Sequence, residues 1–176
     1  MPIMKTLKLL SSLRLAGVLL AGLGAAALSS QAANHSSLKH GDKSFVEDAA
    51  ESGKAGVAIS QIAVSRATHP QVREFAQMMV NHHGAANREL MTLASAKGVM
   101  LPTKDVDLEK WNKKDASDFD EDYLEKMIDD HEESVEHFEK AAKKADDSEV
   151  MAYAAKPLPT LQAHLEQARN IKAGLK

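Results

Sequence analysis

Three histidines occupy positions where a packed helix would ordinarily carry an apolar side chain. His131 lies in the stripe Leu124, Ile128, His131, Val135, Phe138, Ala142, whose steps of four and three put all six residues on one helix face. His83 falls likewise within Val72, Phe75, Met79, His83, Ala86, Leu90, Leu93, and His164 within Leu161, His164, Ala168, Ile171. One core-facing imidazole on each of three helices suits a transition-metal site. Three neutral ring nitrogens converging on one point would hold Zn²⁺, Cu²⁺, Ni²⁺ or Fe²⁺, with a fourth position open for water or a carboxylate. His82 beside His83, Asp130 beside His131, and Glu132 are candidate supporting groups or substitute ligands. The competing reading is a metal-free core in which the imidazoles satisfy one another, the backbone or buried water.

Other chemistries find less support. The chain has no cysteine, so it has no thiolate metal site, no disulfide framework, no lipid-attachment residue and no covalent haem motif. A ferritin-type di-iron centre needs a Glu-x-x-His pair on each of two helices. Here the residues three before His83, His131, His137 and His164 are Val80, Ile128, Ser134 and Leu161, so no di-iron centre is expected. Met78, Met79, Met91, Met127 and Met151 could offer thioether to copper or to a haem iron, but methionine at helical spacing reads as core filler and no haem is expected. No serine lies in a strand-turn-helix setting, so nucleophilic catalysis has no visible basis and no catalytic residue is assigned. Glu133 and His137, like Glu132 and Glu136, are spaced four apart among other charges, which reads as an exposed face laced with ion pairs.

The elements that must position the histidines are all helical. Ala, Leu, Met, Glu and Lys dominate and aromatic residues make up only 4 % of the 176, a mix suited to helices packed through small side chains. A first helix is expected from near Ser44 to near Ala67, capped by Asp42 or Ser44, with a stripe of Phe45, Ala49, Ser52, Gly56, Ile59 and Ala63. Gly53 and Gly56 in its middle imply a closely approaching neighbour or a vacant space beside position 56. Thr68-His69-Pro70 punctuates the chain, and the second helix continues to about Ala96, closed by Gly98. In the connection that follows, a turn of helix would let Leu108 and Trp111 cap one end of the core, with Trp111 as packing. The third helix is expected from Asp118–Glu121 to Lys143-Lys144, acidic at its start and basic at its end. The fourth begins near Glu149 and must kink or restart at Pro157 and Pro159. The expected fold is an all-α antiparallel four-helix bundle over residues 44–176, its last helix kinked at Pro157/Pro159. Counting along the helices of an up-down bundle puts Gly56, His83, His131 and His164 in its middle third, within roughly 7 Å in height at about 1.5 Å per residue.

The first 32 residues read differently. Lys5, Lys8 and Arg14 precede an apolar run from Leu15 to Leu28, which is short for a membrane span, and Ser30 and Ala32 suit cleavage after Ala32 or Ala33. Residues 1–32 are therefore expected to be a secretory signal peptide, and the mature chain to have no transmembrane span. Residues 33–43 read as a flexible polar lead-in, in which His35 and His40 could hold a metal weakly. Loss of the leader removes three basic groups and no acid, taking the formal charge from −3 to about −6. With no basic patch, nucleic acid is not an expected partner.

The stretches Phe75-Ala76-Gln77-Met78-Met79-Val80-Asn81-His82-His83, Met127-Ile128-Asp129-Asp130-His131-Glu132 and Leu158-Pro159-Thr160-Leu161-Gln162-Ala163-His164-Leu165 resemble the exported bacterial family called "domain of unknown function 4142". The resemblance covers about residues 44–174. It implies a ferritin-like helical bundle in the periplasm or cell envelope, while the outer-membrane label carried by many members has no barrel-like strand pattern behind it here. The family motif has an Asp-His pair in the second helix, so His83 carries over and His82 replaces the acid. Many relatives have Glu where Gly56 stands, which would leave a metal site here one ligand short. The family brings no settled activity. The functional expectation is binding of a Zn, Cu or Fe ion for metal handling or envelope stress, and the alternative is a metal-free structural or interaction module.

Overall fold

The computed structural model describes residues 37–175, all in one compact unit. The expected leader, His35 and residues 33–36 of the lead-in lie outside these described residues. Within them the chain forms α1 (His40–Arg66), α2 (Pro70–Ala96), the short α3 (Glu109–Lys113), α4 (Ala116–Lys144), α5 (Ser148–Ala155) and α6 (Leu158–Gly174). α1, α2, α4 and the interrupted pair α5/α6 make the four rods of a bundle. No helix among the described residues is long and apolar enough to cross a membrane.

The boundaries follow from local chemistry, with corrections at the start of α1. That helix begins at His40, four residues before Ser44, so the lead-in's second histidine is helical. Neither Asp42 nor Ser44 caps it. Asp42 is instead buried and accepts the backbone N–H groups of Asp146 and Asp147, at 3.2 and 2.7 Å, which ties the base of α1 to the α4–α5 turn. Pro70 opens α2, where its missing N–H costs nothing, but neither Thr68 nor His69 supplies a side-chain cap. The exposed N–H groups there are taken by Asp120 of α4, which accepts from the backbone of Thr68 and His69 and from the Thr68 hydroxyl. At the other end of α2, Gly98 has φ +65°, with the Gly98 N–H on Ser95 and the Val99 N–H on Ala94, the bond pair of a Schellman cap. Pro157 and Pro159 separate α5 from α6, as their missing donors require.

Neighbouring helices α1/α2, α1/α4 and α4/α6 are antiparallel, whereas α2 and α4 run the same way. Phe75 meets Tyr123 and His83 meets His131, a constant offset in sequence that only parallel rods give. The order thus differs from the up-down sequence on which the helix counting rests. The reason is the connection 97–115, whose extended reach of roughly 60 Å exceeds the length of α2, so nothing forces the next helix to turn straight back. It starts at the base, where Lys97 pairs with Asp147, and passes α1, where Lys54 donates to the Lys104 carbonyl. It finishes at the top, where Arg66 donates to the carbonyls of Trp111, Asn112 and Lys114. Trp111, 2 % exposed, packs edge-on to Phe119 and Tyr123 and closes that end of the core.

The core is divided. One apolar cluster, built around Phe75, Met79, Trp111, Phe119, Tyr123 and Leu124, fills the top, and another around Phe45, Val46, Leu90, Phe138 and Val150 fills the base. Between them lies a polar layer that contains the three histidines.

Candidate metal centre

Each ligand candidate reaches the polar layer from the middle of a rod. His83 is thirteen residues from either end of α2, His131 is near the centre of α4, and His164 is six residues into α6, past the proline break. The three ring centroids form a nearly equilateral triangle, with sides of 5.3 Å (His83–His131), 5.6 Å (His83–His164) and 5.4 Å (His131–His164). One nitrogen from each ring lies within 4.8 Å of the others. His131 and His164 are each 3 % exposed, and His83 is partly buried.

Hydrogen bonds orient the rings. His131 Nδ1 lies 2.7 Å from the Met127 carbonyl oxygen, which can only accept, so Nδ1 carries the proton and Nε2 keeps a lone pair. That Nε2 is 3.3 Å from His83 Nε2. Two nitrogens bound to one tetrahedral ion with bonds of 2.0–2.1 Å stand about 3.3–3.4 Å apart, so this edge of the triangle already has the spacing a metal requires. His82 is exposed, yet its Nδ1 lies 2.8 Å from His164 Nε2. His164 Nδ1 is buried and has no partner.

Burial holds the three rings neutral. It pushes the His83 pKa down to about 4, helped by the positive charge that His131 and His82 would carry. It pushes His164 down to about 3, with His131, His83 and His82 acting in the same direction. His131 is also lowered, chiefly by burial, against the opposing pull of the Met127 carbonyl and Asp130. At neutral pH all three therefore present lone pairs with little competition from protons.

A cavity of about 50 Å³ adjoins the layer, lined among others by Gly56, His83, Met127, Asp130, His131 and Ser134. A single water needs roughly 10–15 Å³, so there is room beside the triangle for solvent. Gly56 creates part of this space, since a Cβ there would meet only His83 Cγ, at 4.0 Å. Gly53, one turn away, serves the other purpose expected of a small residue. A Cβ there would run into the Asn87 side-chain amide, so the glycine makes room on α1 for that side chain of α2.

The remaining candidates are distributed around this centre. Asp130 lines the cavity but is ion-paired with Lys126, outside the cluster of three nitrogens. Glu132 is exposed and bonds to Arg169 at 2.6 Å, and Glu133, Glu136 and His137 are exposed as well, as the charge pattern indicates. Met79 and Met127 are buried in the upper core, Met78 packs against it, and Met91 is 59 % exposed. Sequence reasoning passed over Ser60, which is fully buried and 2.9 Å from the Tyr123 hydroxyl, and Asn87, which faces Gly53. The available signal for the first was a serine beside Gln61 within the stretch Val57–Val64.

The protein family described as Domain of unknown function (DUF4142) matches residues 27–171. The chain belongs to this family. A comparison with curated proteins finds no match. Among solved structures, the DUF4142 chain is similar to a DUF305 fragment from Deinococcus radiodurans, at 13 % identity and TM-score 0.68, over 78 % of this chain and 98 % of that one. It is similar also to CopM in its Cu(I)-bound form (17 % identity, TM-score 0.67, 76 % and 96 % covered). CopM in its Cu(II)-bound form gives 16 % identity, TM-score 0.66, and 77 % and 98 % covered. At such identities the likeness is one of fold, and a helical bundle is what the DUF4142 chain shares with these structures.

Proposed function

We propose that this protein is an exported bundle that binds one transition-metal ion through His83, His131 and His164 and serves metal handling or stress defence in the bacterial envelope. The observation that carries the reading is the convergence of three neutral imidazoles, with ligand nitrogens within 4.8 Å, at the level where two apolar cores meet. Burying three polar rings there weakens the core, and a shared ion offsets that cost. The all-imidazole set suits copper, zinc and iron alike; copper is favoured among them because structures of the same fold hold copper and silver. His82 and Asp130 support the site from its rim. Domain limits of 1–32 for the leader and 44–176 for the bundle are part of the proposal, with the helix itself extending back to His40.

A second reading rests on a specific observation. The contacts His83–His131 and His82–His164 give the imidazoles hydrogen bonds among themselves, which a metal-free structural module would also need. The two readings separate in one titration. Protein without a purification tag, at neutral pH, is expected to bind about one equivalent of Cu(I), Cu(II) or Zn²⁺, and to melt at higher temperature when loaded. Saturation at a hundred times Kd is worth about 2.7 kcal/mol. His131→Ala is expected to abolish both effects. No binding and no shift by the unaltered protein would leave the structural module as the answer.

A further inference from the structure

We propose that His164 offers the ion its Nδ1 and not its Nε2, and that His82 is the positioning residue that enforces this choice by accepting the Nε2–H of His164. The inference rests on the reading of the triad as a metal site and specifies how its third ligand is prepared.

The geometry of the His82–His164 pair supports it. Their ring centroids are 5.1 Å apart, their planes differ by 21°, and the nitrogens are 2.8 Å apart. The two ring radii account for the difference between these distances, so the contact lies along the line of centroids. It is an in-plane, head-on hydrogen bond between nearly coplanar rings, with good alignment for transfer of directionality from one ring to the other. The two nitrogens of an imidazole point to opposite sides of the ring. With Nε2 held by His82 at the surface, Nδ1 is turned inward, where it is buried and has no partner.

The bond could in principle run either way, and the orphaned atom decides. Were His82 the donor, the neutral His164 would carry its proton on Nδ1, leaving a buried N–H with nothing to accept it, an arrangement folded proteins seldom keep. With His164 as the donor, Nδ1 holds a bare lone pair, the form a metal ligand takes before its ion arrives. His131 is prepared by the same logic with the nitrogens reversed, since its Nδ1–H is tied to the Met127 carbonyl and its Nε2 lone pair faces His83. A backbone carbonyl orients one ligand and a second imidazole orients another, in the role a carboxylate commonly fills in metal sites. Only His83 must change. Its Nε2–H, which now donates to His131 Nε2, moves to Nδ1 when the ion takes its place between the two nitrogens, and no net proton is released.

The test uses the full chain without a tag, labelled with ¹⁵N-histidine and loaded with Ag(I), whose spin-½ nucleus splits the signal of any nitrogen bound to it. The splitting is expected on Nδ1 of His164 and on Nε2 of His131, with a proton retained on His164 Nε2. His164 signals are those missing from His164→Gln. His82→Leu removes the acceptor from an exposed position and is expected to weaken Ag(I) binding about 10- to 100-fold and to lose the single His164 tautomer. His82→Asn keeps a carbonyl oxygen one bond beyond Cγ, where His82 has Nδ1, and is expected to restore both. Splitting on His164 Nε2, or Ag(I) affinity in His82→Leu equal to that of the unaltered protein, would overturn the inference while leaving the triad as the metal site. Failure of the unaltered protein to bind Ag(I), Cu(I) or Zn²⁺ would remove the triad reading and this inference together.

Discussion

Stability of the metal-free protein is expected to fall between pH 6.5 and pH 5, because the buried imidazoles resist protonation in the folded state and not in the unfolded chain. The sign follows from proton counting. An unfolded histidine titrates near 6.5, whereas His83 and His164 in the bundle titrate near 4 and 3. Between these values the unfolded state binds more protons, so unfolding becomes easier as pH falls, and the loss levels off below the folded pKa values. By pH 5 each of the two histidines costs about 2 kcal/mol relative to pH 8, or about 4 kcal/mol together, from 1.36 kcal/mol per pKa unit. That is a ceiling, since helices can part enough to hydrate a charged ring. Against a typical total of 5–15 kcal/mol it is still a large share. Urea denaturation with a chelator present, at pH 7.5, 6.5, 5.5 and 5.0, measures it. With a slope of about 2 kcal/mol per molar, the midpoint is expected to drop by up to about 2 M. The double variant His83→Leu/His164→Leu joins the two apolar clusters into one and is expected to lose most of this pH dependence. An unchanged midpoint from pH 7.5 to 5.0, or the same decline in the double variant, would refute the assignment of the effect to these rings.

Two glycines one turn apart are expected to respond unequally to alanine. Gly56→Ala adds a Cβ that meets only His83 Cγ at 4.0 Å and is expected to stabilise by about 1 kcal/mol through helix propensity, whereas Gly53→Ala places a Cβ against the Asn87 side-chain amide, which must turn aside, and is expected to gain less. Paired thermal melts measure the difference. Asp120→Ala strands the N–H groups of Thr68 and His69 at the start of α2 and is expected to cost about 3 kcal/mol by urea denaturation, more than the loss of an exposed carboxylate would. In a bacterial host the full chain is expected in the periplasmic fraction with its N-terminus at Ala33, or at Asn34, which N-terminal sequencing reads directly.

Legibility in the sequence tracked how local each determinant is. Pro70, Gly98 and the Pro157/Pro159 pair act on their own backbone, and the ends they mark fall where the sequence puts them. Residues that act at a distance were less readable. Asp42 looks like a helix cap because short acids often are, yet its carboxylate is committed to two N–H groups more than a hundred residues later. Asp120 is one acid among many at the start of α4, and nothing local shows that Thr68 and His69 need it. His82 belongs with these. Its offset from His83 correctly keeps it off the core face, but the bond to His164 across 82 positions appears only once the rods are assembled.

The histidine layer keeps its height although the helix order is not up-down, and the reason is geometric. Counting heights up an up-down bundle assigns α2 and α4 opposite directions, and the long connection 97–115 makes them parallel. A residue at the end of a helix would have been displaced by the whole length of the bundle by that change. His83 stands thirteen residues from both ends of its helix, and His131 stands fifteen from the start and thirteen from the end of α4. Reversing either rod moves its imidazole by no more than about 3 Å in height at 1.5 Å per residue. Such placement gives the site tolerance to connectivity, and it also locates the polar layer where burial from both ends is deepest. That depth is what lowers the pKa values and keeps the nitrogens free to ligate. A triad one or two turns nearer either end would be easier to protonate and to solvate, and would lose the property on which the proposed metal chemistry depends.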